Sequence, residues 1–368
     1  MTGGKTLNQF SITDYMSGGV ENIVKGVLKA SLKNPKETAF ILKYAHASKV
    51  AKKKREDSCK NGDNVPAFLI ASITTSCNLF CKGCYARANH TCGEGNRKEL
   101  LLSERWEELF LEARELGVSF ILLAGGEPLM RKDVIEKAAK VKEIMFPIFT
   151  NGTMLTQDYL KLFDQNRNLV PILSMEGDKE QTDGRRGSGT YDTLQEVMKN
   201  LKEKGILYGA SVTVTTENVA TVTSKEFFEG LYQKGCKALL YIEYVPVTNE
   251  SKHLEPTDKE RAIVEKGQQE LRRLYEDVVF LSFPGDEKYT GGCLAAGRAF
   301  FHISVDGAVE PCPFSPYSDM NLKDSTLKQA LQSPLFRKLK ETGLLTGEHD
   351  GGCLLFQKEE EVKLLLGR

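Results

Sequence analysis

The chain has 368 residues, 40% of them hydrophobic, enough for one large core or for a large core and a small one. Lysine plus arginine and aspartate plus glutamate number 50 each, so the net charge is zero and no global field favours nucleic acid or an anionic membrane as a partner. With no run of 18 apolar residues and no basic-then-apolar leader, a soluble cytoplasmic protein is expected, and nine cysteines in that setting point to metal or redox work.

Near the start, Val20, Ile23, Val24, Val27 and Leu28 recur on one helix face. Asn34-Pro35-Lys36-Glu37 then reads as the start of a second helix, with an N-cap, proline in the first position and glutamate in the third. That helix is expected to end in Lys49, Lys52, Lys53, Lys54 and Arg55, solvated cations favoured at a helix C-terminus. Contact of these N-terminal helices with a membrane or with phosphate groups is the lesser alternative. Residues 56–64 read as a flexible polar stretch, closing a helical extension over 1–65.

From residue 66 to about 246, short apolar runs alternate with amphipathic patterns. Strands are expected at 68–74, 120–124, 144–149, 169–174, 210–215 and 239–245. Helices are expected at 103–116, 132–141, 157–163, 190–204 and 224–234. Near-continuous apolar strands joined by helices imply a parallel sheet buried on both faces. Periodicity leaves an open sheet and a curved partial barrel both possible; in either, the site lies at the C-terminal strand ends.

Directly after the first strand, Ser76 to Tyr85 places Cys77, Cys81 and Cys84 in a C-x3-C-x2-C spacing. Three thiolates on one loop hold three corners of a 4Fe–4S cluster and leave the fourth iron to a small chelating molecule, whereas a closed cluster takes four cysteines. A zinc knuckle of Cys81 and Cys84 with Cys59, Cys92 or His90 is the alternative. The loop, with Tyr85 as the aromatic residue beside its last cysteine, resembles that of the radical SAM superfamily.

The resemblance implies an α/β fold, a six-unit (β/α) partial TIM barrel over 66–257. It also implies S-adenosylmethionine as cofactor, its reductive cleavage to a 5′-deoxyadenosyl radical, and hydrogen abstraction from a substrate. A reductant such as flavodoxin or ferredoxin would be needed. Gly125, Gly126 and Glu127, at the end of the second strand, match the family's Gly-Gly-Glu that binds the methionine amino group. Ser174 and Glu176 match positions that contact ribose hydroxyls, and Arg186 one that contacts the carboxylate, where a guanidinium offers a bidentate fork. Asn151-Gly152 reads as a turn on the same rim.

After residue 258 a helix is expected at 259–275, a hairpin over 299–305 and 308–310 turning at Asp306-Gly307, and helices at 326–332 and up to 342. Cys293, Gly307 and Cys312 fit C-x13-G-x4-C, which resembles the opening of the auxiliary-cluster domains called SPASM and twitch. With Cys353 this implies one auxiliary 4Fe–4S cluster in a small α+β domain over 258–368. The two Gly-Gly-Cys stretches, at 291–293 and 351–353, are expected to bring backbone N–H groups to cluster sulfurs.

Three cysteines leave a fourth position. Glu348, His349, Asp350, Cys59, Cys92 and Cys236 are candidates; Cys236, ahead of the sixth strand and away from the mouth, is poorly placed and reads as a buried thiol. The leading expectation is an open iron that anchors substrate. A small metabolite or cofactor precursor is the expected substrate, and a peptide-modifying maturase the alternative, weakened by an N-terminus that reads as helices only. RNA methyl transfer lacks a basic groove. A non-enzymatic two-cluster electron carrier would leave Gly-Gly-Glu unexplained.

Overall fold

The computed structural model describes residues 21, 24–26, 28, 34–93, 99–247, 249–346 and 352–367. Its strands are β1 (Phe68–Ser72), β2 (Phe120–Ala124), β3 (Phe146–Thr150), β4 (Leu169–Met175), β5 (Gly209–Val214), β6 (Ala238–Glu243), β7 (Val279–Phe283), β8 (His302–Ile303) and β9 (Val309–Glu310). Helices are α1 (Pro35–Lys60), α2 (Tyr85–Ala88), α3 (Ser103–Leu116), α4 (Lys132–Lys140), α5 (Gln157–Gln165), α6 (Lys179–Arg186), α7 (Thr190–Glu203), α8 (Val219–Val222), α9 (Lys225–Gln233) and α10 (Asp258–Leu274). The last four are α11 (Leu327–Ala330), α12 (Pro334–Glu341), α13 (Leu354–Gln357) and α14 (Glu359–Leu365).

The sheet runs β7-β6-β5-β4-β3-β2-β1-β8-β9, with β1 to β7 parallel and in chain order. It is the curled sheet of a partial barrel. All six expected strands are present, and the sheet continues beyond them. β7 extends one edge; β8 adds to β1 in parallel and β9 pairs antiparallel with β8, as expected of the hairpin. The chain between β7 and β8 crosses from one edge of the sheet to the other. Phe300 on that crossing packs its ring against Phe68 of β1 at 5.1 Å and Phe283 of β7 at 5.7 Å, bringing the two edges together through aromatic contact. Ser72 Oγ and His302 Nε2 lie 2.8 Å apart, and His302 Nδ1 lies 2.7 Å from Glu310 Oε2, a buried polar chain tying the hairpin to β1.

One core lies between the sheet and the helices packed outside it. A second lies on the inner face, where Phe120 and Leu122, then Val170 and Ile172, recur at the two-residue spacing of one strand face. α1 fills this face with Ile41 and Tyr44. Residues 21, 24–26 and 28 are helical, and Val24 and Leu28 join the same cluster; Val20, Ile23 and Val27 of that expected helix lie outside the described residues.

The start of α1 follows the sequence reading: Asn34 Oδ1 accepts from the backbone N–H of Lys36 and Glu37. Its continuation does not. The helix runs to Lys60, so the stretch expected to be flexible is helical as far as that residue, and the cations sit within it. Arg55 is 2% exposed, and its Nη1 donates to Gly117 O and Ser119 Oγ. Tyr44 Oη donates to Ser119 O at 2.7 Å, Asn34 Nδ2 to Gly205 O at 2.5 Å, and buried Glu37 accepts from Arg167 and from the N–H of Leu207. Each of these partners lies just ahead of β2, β4 or β5. α1 therefore caps the N-terminal mouth of the barrel, and its basic run is partly structural. Among the described residues, no helix is long and apolar enough to cross a membrane.

Candidate functional site

At the opposite mouth, the cysteine loop leaves β1 and is wired to the ends of its neighbours. Gly126 N donates to Thr74 O and Glu127 N to Ser76 O, both at 2.8 Å. A Cβ on Gly126 would lie 2.1 Å from the Ser76 carbonyl oxygen, so only glycine permits this approach. The sequence suggests that the glycines admit a ligand; structurally they admit the cysteine loop itself. Farther along, Lys82 N donates to Arg185 O and Arg185 Nε returns a bond to Lys82 O, fixing the loop to the end of α6.

Glu127 is held at the end of β2 with its carboxylate 1% exposed by residue. Oε1 accepts from Leu129 N and Thr150 Oγ1, Oε2 from Asn151 N. Burial pushes its pKa up to about 7, against these hydrogen bonds. Asn151-Gly152 is thus more than the turn expected from sequence, since Asn151 Nδ2 also donates to Asn78 Oδ1 in the cysteine loop.

Glu176 follows β4. Its Oε1 accepts from both Arg185 and Arg186 at 2.5 Å, while its buried Oε2 has no hydrogen-bond partner. Arg186, expected at a carboxylate, is paired with Glu176 and places Nη1 4.0 Å from Cys81 Sγ. Ser174 is half-buried on β4, in register with Ser211 of β5. Sequence reasoning missed Arg185, which neighbours the Arg186 it singled out.

Cys77, Cys81 and Cys84 are each half-buried on the loop, with all nine cysteines unpaired. Cys92 lies beside Cys77: the interaction of the two thiols lowers Cys77 to about 6, while it and burial raise Cys92. Among the described residues, no three His, Cys, Asp or Glu side chains converge as the ligands of a single ion would. Three thiols spread along one loop suit a multi-iron cluster better than one ion. The partnerless Glu176 Oε2 and the buried Glu127 carboxylate suit a ligand bearing hydroxyls and an ammonium. The donor set therefore fits both groups implied by the sequence.

Tyr85 begins α2, and its ring lies 5.0 Å from that of Phe314, two residues after Cys312. This pair links the first cysteine loop to a second set. Cys293, Cys312 and Cys353 line one cavity with Val245, Phe283, Pro284, Glu287, Phe314 and Leu354. Gly352 N donates to Glu243 Oε1 at the end of β6, and Arg261 of α10 holds that same carboxylate, which positions Cys353. A Cβ on Gly292 would lie 2.2 Å from Leu345 O, so this glycine serves a backbone crossing. Burial raises all three thiols, Cys353 to about 12. Glu348, His349 and Asp350 lie outside the described residues. Cys236 is fully buried, its Sγ 3.1 Å from Ala238 O, and Cys59 is exposed on α1.

The family model described as the Radical SAM superfamily matches residues 71–224, from the end of β1 to the start of α9. Residues 71–224 form a radical SAM domain. Among curated relatives it is 32% identical over 157 residues to the Fe-coproporphyrin III synthase of Methanosarcina barkeri (strain Fusaro / DSM 804), covering 42% of this chain and 38% of that protein. It is 24% identical over 313 residues to the AdoMet-dependent heme synthase of the same organism, covering 77% of this chain and 88% of the other. The structure of Streptococcus suis SuiB bound to S-adenosylmethionine superposes with a TM-score of 0.67 at 19% identity, covering 95% of this chain and 86% of that one. That likeness establishes the radical SAM partial-barrel fold.

Proposed function

We propose that this protein reductively cleaves S-adenosylmethionine and uses the resulting radical to take a hydrogen atom from a small metabolite or cofactor precursor. The observation that carries the reading is the hydrogen-bonded unit of cysteine loop and Gly-Gly-Glu, which fixes the three thiols relative to the buried Glu127. In this reading Cys77, Cys81 and Cys84 hold a 4Fe–4S cluster. When bound, it supplies the electron that splits the cofactor into methionine and a 5′-deoxyadenosyl radical. Glu127 pairs with the α-ammonium, held in place by Thr150, Asn151 and Leu129. Glu176 receives ribose hydroxyls through Oε2 while its arginine partners fix Oε1, and Ser174 lies beside it. Arg186 sets a positive charge near the carboxylate and Cys81, and Tyr85 bounds the cofactor side of the loop. Hydrogen-atom transfer from substrate carbon gives 5′-deoxyadenosine and leaves a substrate radical one hydrogen atom short of its parent.

Cys293, Cys312 and Cys353 hold a second 4Fe–4S cluster in the part of the chain from 258 onward, which shares its sheet with the core over 66–257. The electron comes from a carrier of the flavodoxin or ferredoxin type. A reducing cytoplasm suits nine unpaired cysteines.

The similarity to the porphyrin enzymes supports a cofactor precursor as substrate. A second reading, peptide modification, is favoured by the superposition on SuiB bound to precursor peptide SuiA, with a TM-score of 0.66. The two separate by protease treatment. A low-molecular-mass cell extract should stimulate 5′-deoxyadenosine formation several-fold, and digestion of the extract should leave that stimulation intact. Stimulation abolished by digestion would move the assignment to a peptide.

A further inference from the structure

The second cysteine set has a fourth neighbour that nothing in the spacing of its motif suggests. Glu287 lies on the 3-10 helix Gly285–Thr290, which follows β7, and it lines the same cavity as Cys293, Cys312 and Cys353. It is 2% exposed. Its Oε1 accepts at 3.3 Å from the N–H of Leu294, the residue after Cys293, which keeps the carboxyl on the cysteine side of the cavity. Val245, Phe283, Pro284, Phe314 and Leu354 make up the rest of the lining. The Glu287 carboxyl is thus a hard oxygen donor set among thiols and apolar groups, with the Arg298 cation nearby. The backbone keeps the carboxyl in place: Glu287 N donates to Pro284 O at 2.7 Å, and Leu294 N anchors the side chain next to Cys293.

Of the other candidates among the described residues, Cys236 is within the barrel core, Cys59 is on an exposed face of α1, and Cys92 lies beside Cys77; Glu348, His349 and Asp350 lie outside the described residues. Three soft thiolates and one hard carboxylate oxygen make four donors around one cavity, the number a cubane cluster takes when closed.

We propose that Glu287 is the fourth protein ligand of the C-terminal cluster, bound to its unique iron through a carboxylate oxygen. The inference rests on the reading that Cys293, Cys312 and Cys353 hold a cluster. Coordination uses the ionised carboxylate and releases the carboxyl proton to solvent; no electron is transferred. The closed site leaves no iron position for substrate, so this cluster passes electrons and does not anchor substrate.

The test uses the full chain with Cys77→Ala, Cys81→Ala and Cys84→Ala, reconstituted with 57Fe, so that only the second cluster is seen. The expected Mössbauer spectrum has one iron site with a larger isomer shift than the other three, as oxygen ligation produces, and imidazole leaves the reduced EPR signal unmoved. Adding Glu287→Ala should remove that distinct site and make the signal shift with imidazole. Glu287→Cys should give four sulfur-ligated irons that again ignore imidazole. If Glu287→Ala loses its cluster entirely, retention by Glu287→Cys still identifies a ligand, whereas loss in both identifies a structural carboxylate and overturns the proposal. A parent spectrum that already shifts with imidazole also overturns it, in favour of an open iron. A parent protein without any cluster overturns the reading on which the proposal rests, and does so before Glu287 is touched.

Discussion

Replacing Cys77, Cys81 and Cys84 together with alanine should abolish cleavage of S-adenosylmethionine and leave about four of about eight irons in the reconstituted protein. The thiols are the direct ligands on one loop, and that loop is the part of the chain stitched to Gly126, Glu127 and Arg185. Its backbone contacts do not use the thiols, so the fold should survive and the second cluster should load as before. Iron analysis and product chromatography read the two consequences separately. Retained cleavage would remove the catalytic assignment; loss of all iron would mean that the two cysteine sets assemble as one.

Glu127→Gln should weaken S-adenosylmethionine binding about 10- to 100-fold while both clusters remain, because a desolvated charge-assisted hydrogen bond is worth about 1.5–3 kcal/mol. The amide keeps the shape and forfeits the charge. Equilibrium dialysis on iron-replete protein gives the affinity, and loss of iron in the variant would instead mark a structural role. pH adds a second readout. Burial lifts this carboxyl to about 7 in the cofactor-free protein, so pairing with an ammonium requires removal of its proton. Wild-type affinity should therefore fall as the pH is lowered through about 7, and the glutamine variant should lack that slope. The sign for stability is opposite. A folded pKa above the ordinary carboxyl value of 4.5 contributes stability that is fully present below that value and lost as the pH rises through about 7. Cofactor binding offsets that loss.

The barrel was legible because its strands are short, nearly continuous apolar runs, and each of the six expected falls within two or three residues of its place. β7 was not, since its Val-Phe-Leu-Ser-Phe follows a long helix and resembles any half-buried edge segment. The basic run on α1 misled for a related reason. Glu37, Ile41, Tyr44, Ser48, Ala51 and Arg55 form one buried stripe at helical spacing, and Arg55 continues it among solvated lysines. Composition alone marks such a run as surface; the stripe's periodicity carries the buried arginine.

In the site, Gly-Gly-Glu and the cysteine spacing were legible as motifs because their chemistry demands fixed neighbours in sequence. Partners brought by the fold were not: Thr150 and Asn151 on Glu127, Cys92 beside Cys77, and Glu287 beside Cys293. Glu287 stands six residues before Cys293 in a polar stretch, and only the crossing from β7 to β8 brings it under Phe283 and Leu354. An acidic residue shortly ahead of a Gly-Gly-Cys is a weak signal until burial is known.

The central claim is that this barrel turns one electron into a carbon-centred radical. The most direct measurement is anaerobic incubation of the fully reconstituted wild-type protein with S-adenosylmethionine and dithionite, followed by chromatography for 5′-deoxyadenosine and methionine. Both products are expected in equal amounts, dependent on reductant. Spectra showing both clusters reduced, with S-adenosylmethionine intact and no 5′-deoxyadenosine formed, would contradict it and leave an electron carrier.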